Sequence, residues 1–200
     1  MKTVFSILIL CLSLGTSVAL KAQNSSVDFI EGSPVYDYDE TTISNTATIP
    51  GYESKENPIK ITGTIYLSDG VTPAKDVVLY IEQPDEYGDF DLRYHNGKRY
   101  VHNRGWVKTD ADGTYTFYTY IPGNNRRFKE LQQLYPIVKA PGTDDYEITS
   151  FLFEDDPYLS KSCRKRIAKQ NDTDRILKPV KKGDVLIAER DIVLQKDITK

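Results

Sequence analysis

An all-β, antiparallel β-sandwich carrying one short late helix is the fold this sequence predicts, and three observations point to it. The 200 residues hold 14 Tyr against one Met and one Trp, and aromatic side chains suit the pleated, half-buried surface of a strand. Short segments alternate apolar and polar residues with the two-residue period of a strand. Clusters of Gly, Pro, Asn and Asp separate them, as turns do. The bulk composition, 39% hydrophobic and 28% charged, is that of one ordinary globular domain, and 12 Gly with 10 Pro exclude collagen and low-complexity linkers.

Residues 1–22 read as a secretory signal peptide, so the chain is expected to be exported, to the periplasm or the extracellular space. Met1-Lys2 is a short basic start, Val4 to Leu14 is an apolar run interrupted only by Ser6 and Ser13, and Ala22 offers a small residue for cleavage. The run is shorter than the roughly 20 residues that cross a bilayer, so no transmembrane span is expected after signal removal. Cys11 leaves with the signal, which keeps Cys163 as the one remaining cysteine and excludes an internal disulfide.

Loss of Lys2 and Lys21 leaves 24 basic against 29 acidic residues, and the acid is concentrated: residues 23–57 hold seven acids and one Lys. That segment shows neither strand nor helix period and is expected to be an extended or disordered leader. Tyr36, Tyr38 and Tyr52 are its candidate anchors, to the domain or to a partner chain.

The domain is expected over residues 58–200. Ile59 to Leu67 alternates over a strand length, Ser68-Asp69-Gly70-Val71-Thr72-Pro73 is turn chemistry, and Asp76 to Glu82 is a second strand, giving a hairpin-like pair. A second pair joins Gly105–Thr109 to Thr114–Tyr120 through Asp110-Ala111-Asp112-Gly113. That turn starts like a calcium loop, but Thr119 stands where the bidentate Glu is required. Later strands are expected over Tyr146–Phe153 and Asp184–Leu194, and a helix over Pro157 to about Lys169, with Asp156 as its N-cap. Lys161, Arg164, Lys165, Arg166 and Lys169 lie on this helix. In an acidic, exported chain they read as a solvated face, and no nucleic-acid partner is expected.

Taken in order, Ile61-Thr62-Gly63, Gln83-Pro84-Asp85-Glu86-Tyr87-Gly88-Asp89-Phe90, Arg104 to Thr119, Pro136-Ile137-Val138-Lys139-Ala140-Pro141-Gly142, Phe153-Glu154-Asp155-Asp156-Pro157 and Arg190-Asp191-Ile192-Val193-Leu194 resemble the intradiol ring-cleavage dioxygenases, the family of protocatechuate and catechol dioxygenases. The resemblance spans residues 58 to 196. It implies a β-sandwich with a ferric site of two Tyr phenolates and two His imidazoles, where oxygen is directed into a bound catechol. Hard anionic phenolates suit Fe(III), and neutral imidazoles complete its sphere. The strand pair from Ile59 to Glu82 also resembles the carboxypeptidase-regulatory sandwiches, which implies a purely structural surface module.

At the four positions where the resemblance places iron ligands, this chain has Phe90, Asn125, Gln133 and Tyr135. Phe90 has no donor, Asn125 and Gln133 offer neutral amides, and Tyr135 starts from a pKa of about 10. Ser150 replaces the Gln that the resemblance places before Asp-Pro. No cofactor is therefore expected. The former active-site mouth, lined by Phe90, Asn125, Arg126, Arg127, Gln133, Tyr135 and Ser150, is expected to serve as the binding site of a non-catalytic module. Its amides, rings and guanidinium groups suit a small phenolic or sugar acid. The alternative is an active ring-cleaving dioxygenase holding Fe(III) in a site rebuilt from Tyr94, His102 and Tyr135.

Overall fold

The computed structural model describes residues 32–196. The expected signal peptide and the first part of the leader lie outside them. In chain order the strands are β1 (Thr46–Thr48), β2 (Pro58–Tyr66), β3 (Val78–Glu82), β4 (Leu92–His95), β5 (Lys98–Val101), β6 (Arg104–Lys108), β7 (Thr114–Tyr120), β8 (Gln133–Lys139), β9 (Tyr146–Glu147) and β10 (Phe151–Phe153). Helix α1 (Lys161–Lys169) follows, then β11 (Ile176–Leu177), β12 (Val180–Lys182), β13 (Val185–Glu189) and β14 (Ile192–Val193).

Two sheets pack face to face. The first runs β1-β7-β2-β13-β12, with β14 also on β2; the second runs β11-β10-β8-β3-β6, with β9 on β8. The β2–β7 and β3–β8 pairings are antiparallel, while β1 joins β7, β13 and β14 join β2, and β11 joins β10 in parallel. Period-two alternation turns Ile59, Ile61, Tyr115 and Phe117 of one sheet toward Leu79, Ile81, Leu134 and Val138 of the other, all fully buried in one core. Each such burial stabilises the fold by about 1.5–3 kcal/mol. Polar side chains between the sheets are hydrogen-bonded: Tyr115 donates to the Arg190 carbonyl at 2.6 Å, and Gln83 accepts from Thr119 at 2.6 Å and donates to the Tyr120 carbonyl at 3.1 Å.

Several expectations change. The two hairpin-like pairs are not hairpins, because β2 and β3 lie in opposite sheets, as do β6 and β7. Turns at 68–73 and 110–113 therefore cross the sandwich, and only an isolated bridge, Tyr66 to Pro73, remains of the first pair. The strand expected over 184–194 breaks after Glu189. There the Asp191 carboxylate takes the Thr64 N–H at 2.8 Å, while Arg190 turns inward to stack 4.3 Å from the Phe151 ring. Similarly, the strand expected over 146–153 divides into β9 and β10.

Helix α1 begins four residues later than expected, capped by Ser160, whose side chain accepts from Cys163 N–H at 3.2 Å. Asp156 is buried instead, one oxygen taken by Tyr158 N–H and the other by Gln132 N–H from a distant loop, so it fixes a turn rather than a helix start.

The leader is ordered from its described beginning. Val35 is fully buried against Val78 and Tyr80, with Tyr38, Ile43, Trp106 and Ile137 around it. Trp106 Nε1 donates to the Pro34 carbonyl at 2.9 Å. The leader thus forms a strap across the outer face of the second sheet, then turns its edge to become β1 beside β7. Its apolar residues are too sparse to show a period, and their partners are far away in sequence. The anchoring tyrosines differ in role: Tyr36 donates to Asp145 across the fold and Tyr52 packs edge-on to Tyr118, whereas Tyr38 bonds Glu40 within the strap.

Candidate functional site

Alternation on β3 and β8 that sends Leu79, Ile81, Leu134 and Val138 inward sends Tyr80, Glu82, Gln133 and Tyr135 to the opposite face. Register sets Glu82 opposite Tyr135. Phe90, on the loop after β3, brings its ring centroid to 5.6 Å from that of Tyr135, tilted by 50°. Gln133 donates its amide to the Tyr135 hydroxyl at 2.6 Å.

Two loops are locked together beside this ring pair. Gly123 N–H donates to the Asp85 carbonyl at 2.8 Å, and a Cβ on Gly123 would lie 2.3 Å from the Glu86 carbonyl oxygen. Gly88, at φ +89°, faces the Asn124–Asn125 backbone just as closely. Backbones approach this tightly only where no side chain intervenes. The contact holds Asn125 near Phe90, with the Asn125 amide donating to Asp89 Oδ1 at 3.3 Å.

A cleft of about 350 Å³ opens over this face, walled by Phe90, Leu92, Lys98, Tyr100 and Arg104, with Tyr80 and Glu82 in its lining. A smaller one of about 130 Å³ shares Tyr80 and Glu82 and adds Tyr135, Glu147 and Ser150. Tyr80 donates to Glu82 Oε2 at 2.5 Å. Burial pushes the Glu82 carboxyl above the ordinary glutamate range, with the Tyr80 hydrogen bond and Arg104 pulling back and Glu147 pushing further. Burial likewise raises Tyr80, and the Glu82 charge adds to it. The face therefore offers ring surfaces, a protonatable acid, phenolic donors and a guanidinium around one opening.

The raised Glu82 carboxyl fixes a sign. A carboxyl that binds its proton more tightly in the folded chain adds stability below its unfolded pKa and loses it as pH rises through the folded one. Glu82→Gln, which stays neutral and still accepts from Tyr80, is expected to match the parent near pH 4 and to melt above it near pH 8. Thermal melts across that range check this; a gap that shrinks with rising pH contradicts it.

Among the residues singled out from sequence, Phe90, Gln133 and Tyr135 are joined by direct contacts, Asn125 stands beside them, and Ser150 lines the smaller cleft. Arg126 lines a separate pocket with Glu86 and Gln132, and Arg127 lies over Phe128 at 5.3 Å. Tyr94 is 64% exposed on β4, and His102 sits at the foot of the β4–β5 hairpin with its backbone N–H on the Asp91 carbonyl. Neither lines a cleft with Tyr135. Tyr80, Glu82 and Arg104 were not singled out. The available signal was two large outward residues, Tyr80 and Glu82, on a strand whose other face is wholly aliphatic.

The residues at the four expected ligand positions do not fit ferric iron. Phe90 carries no donor atom, and the Asn125 oxygen already accepts from the Arg127 and Phe128 N–H groups. The Gln133 amide is turned as a donor to Tyr135, and burial pushes the Tyr135 phenol up, away from the phenolate form. Among the described residues no group of three or more His, Cys, Asp or Glu is placed to hold a metal. No helix among them is long and apolar enough to cross a membrane.

No protein-family model and no curated protein matches the sequence. Solved structures do match. The dioxygenase domain of a dioxygenase carbohydrate-binding protein fusion from Streptomyces sp. SirexAA-E superposes with TM-score 0.56 at 22% identity, covering 70% of this chain and 81% of that one. An intradiol ring-cleavage dioxygenase from Tetranychus urticae gives 0.57 at 18% identity over 80% of this chain and 92% of the other. A catechol 1,2-dioxygenase from Pseudomonas arvilla C-1 gives 0.58 at 14% identity over 78% of this chain, which spans 58% of that longer protein. Through these similarities the order of strands and the paired sheets of this chain are placed as the β-sandwich fold of the intradiol ring-cleavage dioxygenases.

Proposed function

We propose that the chain is an exported binding module on the intradiol dioxygenase fold, that it has lost ring cleavage and the ferric cofactor, and that it holds a small ring-bearing acid, phenolic or sugar-derived. One observation carries the reading: where the resemblance expects four iron donors, the rings of Phe90 and Tyr135 face each other at 5.6 Å beside an open cleft. Rings give stacking surfaces, and Arg104 with Lys98 in the same cleft supplies cations for an acid group. Export rests on the basic, apolar and small-residue sequence of residues 1–22.

Calorimetric titration with 4-hydroxybenzoate and with galacturonate, beside a ring-cleavage assay on catechol with iron and oxygen supplied, tests it. Binding of at least one acid is expected, weakened about tenfold by Phe90→Ala, since an aromatic contact contributes about 0.5–1.5 kcal/mol beyond its buried area. Catechol is expected to remain unchanged. Oxygen-dependent consumption of catechol that is lost on replacing His102 or Tyr135 establishes the rebuilt dioxygenase instead.

A further inference from the structure

Most contacts of the strap hold its backbone: Val35 is buried, Trp106 grips the Pro34 carbonyl, and Tyr36 reaches Asp145. Asp37 is different. Its carboxylate pairs with two cations of the larger cleft, Oδ1 lying 2.7 Å from Lys98 Nζ and Oδ2 3.3 Å from Arg104 Nη1. Both cations line that cleft. Arg104 is oriented without help from Asp37, because its guanidinium lies 4.2 Å from the Tyr100 ring and 4.9 Å from the Trp106 ring. A guanidinium set in place by two rings and a neighbouring ammonium form a ready receptor for a carboxylate. The chain fills that receptor from within.

We propose that Lys98 and Arg104 are the carboxylate subsite of the cleft, and that Asp37 is an internal stand-in which the ligand's acid group displaces. The ligand's ring then lies against Phe90 and Tyr100. This rests on the binding-module reading and adds to it the group recognised and the competitor it must overcome. Displacement requires only a rotation of the Asp37 side chain, which is 25% exposed, since Val35 and Trp106 keep the backbone of the strap in place. A tethered competitor raises the apparent dissociation constant to the intrinsic value divided by the fraction of time the site is free.

Full-length Asp37→Asn, which keeps the shape and removes the charge, should bind benzoate about five- to tenfold more tightly than the parent, as expected for freeing two partly exposed ion pairs. Benzyl alcohol, which has the ring and no charge, should bind both proteins equally. Asp37→Ser should give the same gain, which separates removal of the carboxylate from any effect of the asparagine amide. Arg104→Gln in the Asp37→Asn background should cancel it. Equal or weaker benzoate binding by both Asp37 variants overturns the competitor while the binding module stands. Failure of both ring compounds to bind any of the folded proteins overturns the two together.

Discussion

Exchanging Phe90→Tyr, Asn125→Tyr, Gln133→His and Tyr135→His together is expected to create a ferric site where the parent residues offer none. The geometry supplies the reason. The Phe90 and Tyr135 rings are 5.6 Å apart, Gln133 touches the Tyr135 hydroxyl at 2.6 Å, and Asn125 bonds to Asp89, the neighbour of Phe90. Two phenols and two imidazoles introduced there face a common point, and together they provide the hard anionic and neutral donors that Fe(III) favours. Metal analysis after dialysis should rise from background to about one iron per chain, with a visible phenolate-to-ferric absorption band. A folded quadruple variant that retains no iron shows that these four positions do not converge as argued. Ring cleavage need not return with the metal. Ser150 and its surroundings differ from what the resemblance implies, and groups outside the ligand set alter affinity or rate by roughly 10–100-fold.

Replacing Gly123 by alanine is expected to have the largest effect on stability of any single small substitution in the site. The added Cβ would meet the Glu86 carbonyl oxygen at 2.3 Å and the Gly88 nitrogen at 2.6 Å. These are backbone atoms and cannot rotate aside. Overpacking of this kind costs about 3 kcal/mol, which corresponds to a melting temperature lower by about 6–12 °C for a domain of this size. Because the same contact holds Asn125 near Phe90, affinity for a ring-bearing ligand should fall with it. A variant melting within about 2 °C of the parent would show that the loops can part at little cost.

The sequence conveyed faces better than partners. In Ile59-Lys60-Ile61 and in Thr114 to Tyr120, burial on one side writes a period of two directly into the residues, so β2 and β7 were readable almost to their ends. Alternation does not say which strand lies alongside. A short turn at 68–73 suits a hairpin and a crossing between sheets equally well, and the choice was made by distant partners: β7, β13 and β14 for β2, and β6 and β8 for β3. The helix start was misplaced for a similar reason, since Asp156 had the sequence of a cap and the structure gave its second oxygen to Gln132. At the site, Phe90, Gln133 and Tyr135 were reachable by counting from flanking motifs. Arg104 was not, because Asp37 and Tyr100 meet it only in space.

The short strand β1 has a further consequence, for colloidal behaviour. In the first sheet β7 is followed outward only by β1. The sequence of β7, Thr-Tyr-Thr-Phe-Tyr-Thr-Tyr, holds no charge and no proline, the composition from which intermolecular cross-strand stacks are built. Left bare, such an edge would present a row of free amide and carbonyl groups to any neighbouring copy. Thr46, Ala47 and Thr48 pair with Thr116, Phe117 and Tyr118, so the acidic leader that carries them caps this uncharged edge of the sandwich. Trimming the leader past Thr48 would uncover that edge and favour self-association.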